Sequence, residues 1–360
     1  MMASAYELNE TPEQLWPGLP TAPYVVITPY LLPPGTAKRV NHGDGFILDA
    51  CVRLIGHRPA LLLSSRAPLD AGAIAAINRA QCVVLAGANS LKDDFAPAPG
   101  FDRLTLARIQ VPMVPFGVGH YGVADVTRML TPAAAEILTE LHRRFPYSSV
   151  RCDASYRYLA GNLPALADRI LMTSCPVVHV ADGVDRGFER RAIYEQAVVT
   201  VTDRVRLDEQ LSLLGLTRTL FRARRWILAL HQDYGNAALD SYATRLGFEV
   251  FRCTSYRDLS ALYAATDLHF GNRLHAHLKC LANGIISFLC PFDLRQTYFA
   301  ESLDFPLVTN GSLDAVVTYD FGRVRRRLAQ YQAALDRFLS ALRPLVLGAP
   351  GLAAPAVAIG

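Results

Sequence analysis

Short apolar runs rich in β-branched residues alternate with amphipathic stretches along most of the chain. The runs YVVITPYLL, PALLLS, CVVLAG, VPMVPFGVG, SSVRC and CPVVHV come first, with helical patterns over Asp44–Ile55, Ala71–Ala80 and Pro132–Arg143 between them. Continuous apolar strands separated by helices predict a parallel sheet covered on both faces. A second series starts near Ala197 and runs AVVTVTD, WILALHQD, GFEVFRC, DLHF, IISFLC and FPLV, again with helices between. The pattern therefore predicts an α/β chain with two doubly wound parallel sheets. The polar, Gly-containing stretch Ala181–Glu195 reads as the link, which places the domains at residues 1–185 and 186–321. Gly322–Leu342 reads as a long amphipathic helix whose face of Val324, Leu328, Tyr331, Leu335 and Leu342 must pack on something. The expectation is that residues 322–347 cross back to the first domain and that 348–360, rich in Gly, Ala and Pro, form a mobile tail. No internal repeat is detectable.

One stretch carries the densest chemistry. DLHFGNRLHAHLKCLANG, Asp267–Gly284, reads as the end of an apolar strand, a Gly-Asn turn and a helix that stops at Gly284. Leu274, Leu278 and Leu281 recur at helical spacing, Asn272 is placed to cap the start, and Gly284 sits where a C′ glycine belongs. Arg273 and His275 then fall in the first turn, where backbone N–H groups and the positive dipole end make a ready anion site. Arginine adds a fork of donors suited to phosphate or carboxylate, and histidine adds a proton that moves near neutral pH. His275 and His277 do not form a chelating pair, because residues two apart on a helix are turned roughly 200° from one another. Plain surface or capping roles for Arg273 and His275 are the alternative that the local pattern leaves open.

Composition narrows the class. At 360 residues the chain suits two domains, each able to bury a core, and 51% apolar with 19% charged residues describes a folded protein. A net charge of +4 is too mild to argue for nucleic acid, and no aromatic-basic recognition motif accompanies it, so small anionic ligands fit better. Neither a signal pattern nor an apolar run of about 18 residues is present, which points to the cytoplasm. The seven cysteines are odd in number and form no C-x-x-C pair, reading as reduced core thiols. No metal site is expected.

The motif around Arg273 and His275 resembles the polysaccharide pyruvyl transferase family, whose members carry a strand, G-x-R-L-H-A opening a helix, a small-residue turn and a buried strand. From Asn41 to about Leu307 the other pieces follow the same order: NHGDGFI (Asn41–Ile47), VVLAGANSL (Val83–Leu91), VPFGVG (Val114–Gly119), VRCDAS (Val150–Ser155) and GNRLHA (Gly271–Ala276). The resemblance implies a GT-B-like pair of Rossmann-like domains facing across a cleft, with acceptor on the first and donor on the second. Every piece lies past the carboxyl end of a strand, where such sheets bind ligands.

The resemblance also implies a reaction. Phosphoenolpyruvate (PEP), a co-substrate with no further cofactor, gives its enolpyruvyl carbon to two hydroxyls of one sugar in a polysaccharide or glycolipid precursor. A cyclic ketal forms and phosphate leaves. By this resemblance Arg151 and Arg273 grip the anionic groups, with Asn272 beside them and Arg295 adding positive charge, and His275 is the general acid. The family writes Arg-Asp with a Ser three residues after the Asp; here the pattern is Arg151-Cys152-Asp153-Ala154-Ser155, with Cys in place of the Asp. Asn41, Asp44, Asn89 and His120 are assigned to the acceptor, Asp44 either handling a sugar hydroxyl or merely capping a helix. His120-Tyr121 and His231-Gln232-Asp233 also lie at strand ends as lining candidates. The glycine turns Gly87, Gly117 and Gly119 would let backbone approach a ligand.

His275 must be charged to act as an acid, and a helix N-terminus opposes that by about 0.3–1 kcal/mol. One negative charge about 4 Å away contributes on the order of 4 kcal/mol at an effective dielectric near 20, so bound PEP wins. Two rivals remain. A nucleotide-sugar glycosyltransferase of the same architecture is one, but Glu209, Glu249 and Glu301 lack a glutamate partner eight residues away and no Asp-x-Asp motif stands out. A non-catalytic sugar or anion binder is the other. Arg222, Arg224, Arg225 and the run Arg323–Arg327 would suit peripheral attachment to the inner face of a membrane carrying a lipid-linked acceptor; a solvated helical face explains them equally.

Overall fold

Residues 11–33, 40–87, 89–120, 129–183, 185–232, 236–309, 316 and 318–348 are described by a computed structural model. The chain divides into two units: Met1–Lys38, Ile47–Pro176 and Ala329–Gly360 form one, Arg39–Phe46 and Val177–Leu328 the other. The expected tail thus lies outside the described residues beyond Gly348.

The helices in chain order are α1 (Pro12–Leu15), α2 (His42–Ile55), α3 (Ala71–Ile77), α4 (Arg103–Arg108), α5 (Pro132–Arg144), α6 (Asp153–Asn162), α7 (Leu207–Leu220), α8 (Ala237–Arg245), α9 (Tyr256–Ala264), α10 (Leu274–Ala282), α11 (Leu294–Leu303) and α12 (Gly322–Val346). In the first unit β1 (Thr21–Thr28), β2 (Arg58–Ser64), β3 (Cys82–Ala86) and β4 (Met113–Phe116) form a sheet of order β2-β1-β3-β4, parallel throughout. A short parallel pair, β5 (Ser148–Val150) with β6 (Ile170–Met172), joins it through a bridge from Val118 to Val150. Val25, Val26 and Ile27 are buried although successive side chains on β1 point to opposite faces, so both faces of the sheet are covered.

From Ala329 onward α12 belongs to the first unit, where Phe338 packs 4.8 Å from Phe116 and 6.2 Å from Phe145. Its buried stripe is Val324, Leu335, Phe338, Leu339, Leu342 and Val346, whereas Leu328 and Tyr331 of the expected face are only half-buried.

The second unit holds one five-stranded parallel sheet: β7 (Tyr194–Thr200), β8 (Ala223–Leu230), β9 (Phe248–Arg252), β10 (Leu268–Gly271) and β11 (Ile286–Leu289), in the order β11-β10-β7-β8-β9. The chain leaves β7 toward β8 and β9, then returns to lay β10 and β11 on the other side. The carboxyl ends of β7 and β10 therefore flank the topological switch point, where open parallel sheets place their ligands.

Four expectations are corrected. CPVVHV is not a strand: Pro176–His179 is a 3₁₀ turn at the crossing between units, and Pro176 has no N–H to give a ladder. The three-residue strand β6 went unread. The link falls at Pro176/Val177 rather than at 181–195, because that stretch is already bound into the second unit. Asp267 collects Arg186 at 2.8 Å and Arg191 at 3.4 Å, and accepts from the backbone N–H groups of Glu195 and Gln196; Lys279, 2% exposed, reaches Asp182 at 2.7 Å. Finally, Arg39–Phe46 groups with the second unit, not the first.

None of the seven cysteines is in a disulfide, and six of them are buried. The basic stretches are matched by carboxylates: Arg224 pairs with Glu195, Arg225 with Glu249, Arg323 with Asp304, Arg325 with Asp185 and Arg326 with Asp320. Among the described residues no helix is long and apolar enough to cross a membrane.

Candidate functional site

Gly271 ends β10 with its Cα against β7. A Cβ there would lie 2.2 Å from the Thr200 carbonyl oxygen and 2.4 Å from its Oγ1, at a φ of +156°, so only glycine lets the strands meet this closely. Asn272 follows, its N–H donating to the Thr200 carbonyl at 3.1 Å and its carbonyl accepting from Gln296 Nε2 at 2.7 Å. Arg273, not Asn272, is the N-cap of α10, which begins at Leu274. The backbone of Asn272 is still tied to β7, so the helix can start only after it. Gly284 stands after the C-cap Asn283 with φ +67°, as the sequence predicts.

The Arg273 guanidinium is fixed by neutral acceptors: Nε donates to the Val201 carbonyl at 3.0 Å and Nη2 to Gln232 Oε1 at 3.1 Å. The Asp203 carboxylate stands 4.0 Å away. His275 is the second residue of α10 and half-buried. His277 is fully buried, its Nδ1 on Ser287 Oγ at 2.7 Å and its ring edge-on to Phe305. Ser287 also meets His269 Nδ1 at 2.7 Å, and His269 Nε2 meets Thr200 Oγ1 at 3.0 Å. A buried polar chain thus runs from inside α10 to the strand end beneath Asn272. Burial holds His269 down to about 3 and pushes His277 well below the usual imidazole range.

The NHGDG motif completes this site. A Cβ on Gly43 would sit 3.3 Å from Asn41 Oδ1, 3.4 Å from His231 Nδ1 and 3.7 Å from His275 Nδ1, so the first turn of α2 lies directly against both rings. The His42 N–H donates to the His231 carbonyl at 3.3 Å, and Phe46 packs edge-on to His231 and Tyr263. Asp44 is not an N-cap: α2 starts at His42, and Asp44 Oδ1 accepts from Asn41 Nδ2 at 3.1 Å. The His42 pKa is lowered by burial, with Asp258 opposing. Arg295 turns its guanidinium onto Asp293, the N-cap of its own helix α11.

The first unit has its own cluster. Arg151 is 2% exposed, so it is no surface residue, and its Nη2 bonds Asn89 Oδ1. It precedes rather than opens α6, whose N-cap is Cys152. Gly119 makes room for it: a Cβ there would lie 1.8 Å from Arg151 Nε and 2.3 Å from Cζ. The His120 N–H donates to Ser155 Oγ at 2.9 Å while its ring lies 4.6 Å from that of Tyr158. Cys152 touches Ser155 Oγ at 3.0 Å, and burial pushes its thiol up, the neighbouring Arg151 pulling the other way. A neutral thiol thus stands where a carboxylate would otherwise face the arginine.

Asn41, Asp44, Asn272, Arg273 and His275 gather in the second unit; Asn89, His120 and Arg151 gather in the first. Tyr121 and Asp233 lie outside the described residues. The sequence reading underrated His231 and missed Tyr263, whose phenol hydroxyl lies 2.5 Å from His231 Nε2. The available signal was the polar end of WILALHQD; the tyrosine, inside an ordinary helical pattern, gave none.

The pattern that defines the family described as Polysaccharide pyruvyl transferase matches residues 41–290. No curated protein matches the sequence. Among solved structures, the chain is similar to accessory secretory protein 1,2 and 3 in Streptococcus pneumoniae, at 13% identity over 74% of this chain and 52% of that one, TM-score 0.43. It thus spans about half the length of that chain. It is also similar to UDP-N-acetylglucosamine 2-epimerase from Rickettsia bellii, at 10% identity over 90% and 96% of the two chains, TM-score 0.46. A Thermobaculum terrenum O-GlcNAc transferase mutant gives 12% identity over 96% and 70%, TM-score 0.43.

Proposed function

The chain belongs to the polysaccharide pyruvyl transferase family, and on that premise we propose that it uses PEP to build a cyclic pyruvate ketal on a sugar of a glycan or glycolipid precursor. The observation that supports this reading best is the anchored pair at the switch point of the second unit: Arg273 held by Val201 and Gln232 at the start of α10, and His275 one step further in. One sugar hydroxyl adds to C2 of PEP as His275 gives its proton to C3, making the methyl group. A second hydroxyl then bonds C2 while the C2–O bond to phosphate breaks; one hydroxyl proton leaves with phosphate and the other, through solvent, restores the proton on His275. Arg273 and the α10 N-terminus would hold the anion. Asn41 and Asp44 would meet the acceptor. This chemistry calls on no cofactor beyond the co-substrate.

The direct test is phosphate release from PEP in the presence of a glycan panel, paired with thermal stabilisation. PEP raises the melting temperature, while UDP- and GDP-sugars leave it unchanged; stabilisation by a nucleotide sugar alone would favour a glycosyltransferase.

Gly119 gives a second test. A methyl group at residue 119 has to push the Arg151 guanidinium aside. If that guanidinium holds PEP, Gly119→Ala weakens PEP binding roughly 10–100-fold, the usual worth of a charge-assisted hydrogen bond. Calorimetric titration with PEP showing wild-type affinity in Gly119→Ala would show that the Arg151 guanidinium takes no part in PEP binding.

A further inference from the structure

The turn around Gly43 holds two imidazoles that this chemistry does not use, His42 and His231, of which His231 is the buried one. His231 ends β8, is 1% exposed, and has its Nε2 2.5 Å from the Tyr263 hydroxyl. Tyr263 is 0% exposed, and among the described residues its hydroxyl bonds nothing else. Burial keeps both partners neutral, raising the phenol well above its usual range and the imidazole well below. Between two neutral groups, a phenol O–H is the better donor and an imidazole nitrogen the better acceptor. Nε2 therefore accepts, and the ring proton sits on Nδ1, since the partner of one ring nitrogen decides the state of the other.

Nδ1 is the nitrogen that lies against Gly43, where a Cβ would also find Asn41 Oδ1 at 3.3 Å and His275 Nδ1 at 3.7 Å. We propose that Tyr263 locks His231 in the tautomer that points an N–H at His275, and that this fixed dipole sets the pH at which His275 takes up its proton. His231 is thus a positioning residue acting through His275, an inference that rests on His275 being the acid.

The other charged and titratable groups at this turn come from several elements. Arg273 with Asp203 flanks His275 at the start of α10; His42 and Asp44 stand on α2; Asp258 acts on His42 from α9; Asp293 and Arg295 close on each other at α11. His269 lies below, neutral. None of these changes when the Tyr263 hydroxyl is removed, so Tyr263→Phe isolates the tautomer. With nothing donating to Nε2, His231 is free to move its proton there, and its Nδ1 lone pair then faces His275 and favours the charged ring.

The experiment is ¹⁵N NMR of the histidine side chains in the full chain, with and without that substitution. In the wild type, His231 carries its proton on Nδ1 between pH 6 and 8. In Tyr263→Phe the His275 midpoint rises by about 0.3–0.7 pH unit, the size of a helix-end dipole's effect on a nearby charge, and the alkaline limb of turnover moves with it. An Nε2–H signal from wild-type His231, which needs no variant to observe, would overturn the proposal. So would a His275 midpoint that stays or falls in Tyr263→Phe. Because the titration needs no turnover, it is read even from a protein that fails to release phosphate from PEP, which separates this inference from the reaction assigned above.

Discussion

His275→Ala lowers turnover by roughly 10²–10⁴, the usual worth of a positioned acid, and leaves the melting temperature close to that of the parent. The half-buried ring makes little of the core, whereas Arg273 and the N-terminus of α10 still hold an anion, so PEP affinity falls much less than turnover. With His275 as the acid, turnover in the parent is expected to fall as pH rises, because only the imidazolium has a proton to give. The companion variant His277→Ala behaves in the opposite way. Its ring is fully buried on Ser287 and Phe305, so removing it opens a cavity and strips a hydrogen bond. A drop of about 2–4 kcal/mol in stability is expected, with turnover per folded molecule kept near the parent value. Equal losses of turnover from the two changes, or a fully active His275→Ala enzyme, would end the assignment of His275 as acid.

This contrast shows what the sequence made legible. The β10-turn-α10 unit could be read because its signals are local: an apolar run, a glycine, a leucine row at helical spacing and a closing glycine. Even the error there was local, since the backbone bond from Asn272 to Thr200 delays the helix by one residue. What could not be read depends on contacts distant in sequence. Nothing in NHGDG announces that Gly43 will rest against His231 and His275, and so the motif was assigned to the wrong unit. Nothing in helix α9 distinguishes Tyr263 from a routine core tyrosine. CPVVHV failed for a different reason, because four apolar residues carry no periodicity that separates a strand from a turn. The cluster around Arg151 was legible as a set of strand ends, but its burial, with Gly119 hollowed out beneath the guanidinium, was not.

Four buried imidazoles are expected to make the protein sensitive to mild acid. Burial holds His142 down to about 4 and His269 to about 3, and pushes His231 and His277 well below the usual range. Unfolded, each returns to about 6.5. Between those values the unfolded chain binds more protons than the folded one, so stability is complete above about pH 6.5 and drains away as pH falls toward the folded pKa values. At pH 5 His142 and His269 each cost about 2 kcal/mol, with His231 and His277 acting in the same direction, against a total stability typically of 5–15 kcal/mol. Burial raises the Glu140 and Asp258 carboxyls, but hydrogen bonds from Thr254 and Ser255 to Asp258, and from Arg143 and Arg144 to Glu140, leave both pKa values lowered, and their contribution is lost only below about pH 4.5, outside this window. Three of the four rings lie in the second unit and only His142 in the first, so the second unit should yield first. The two tryptophans report this separately, because Trp16 belongs to the first unit and Trp226 to β8 of the second. With Trp16→Phe and Trp226→Phe variants as single-tryptophan reporters, the Trp226 emission shifts at the higher pH as acid is added, and the melting temperature falls steeply from pH 6.5 to 5. A melting temperature unchanged across that interval, or a Trp16 signal that leads, would show that these rings are not held neutral by the fold.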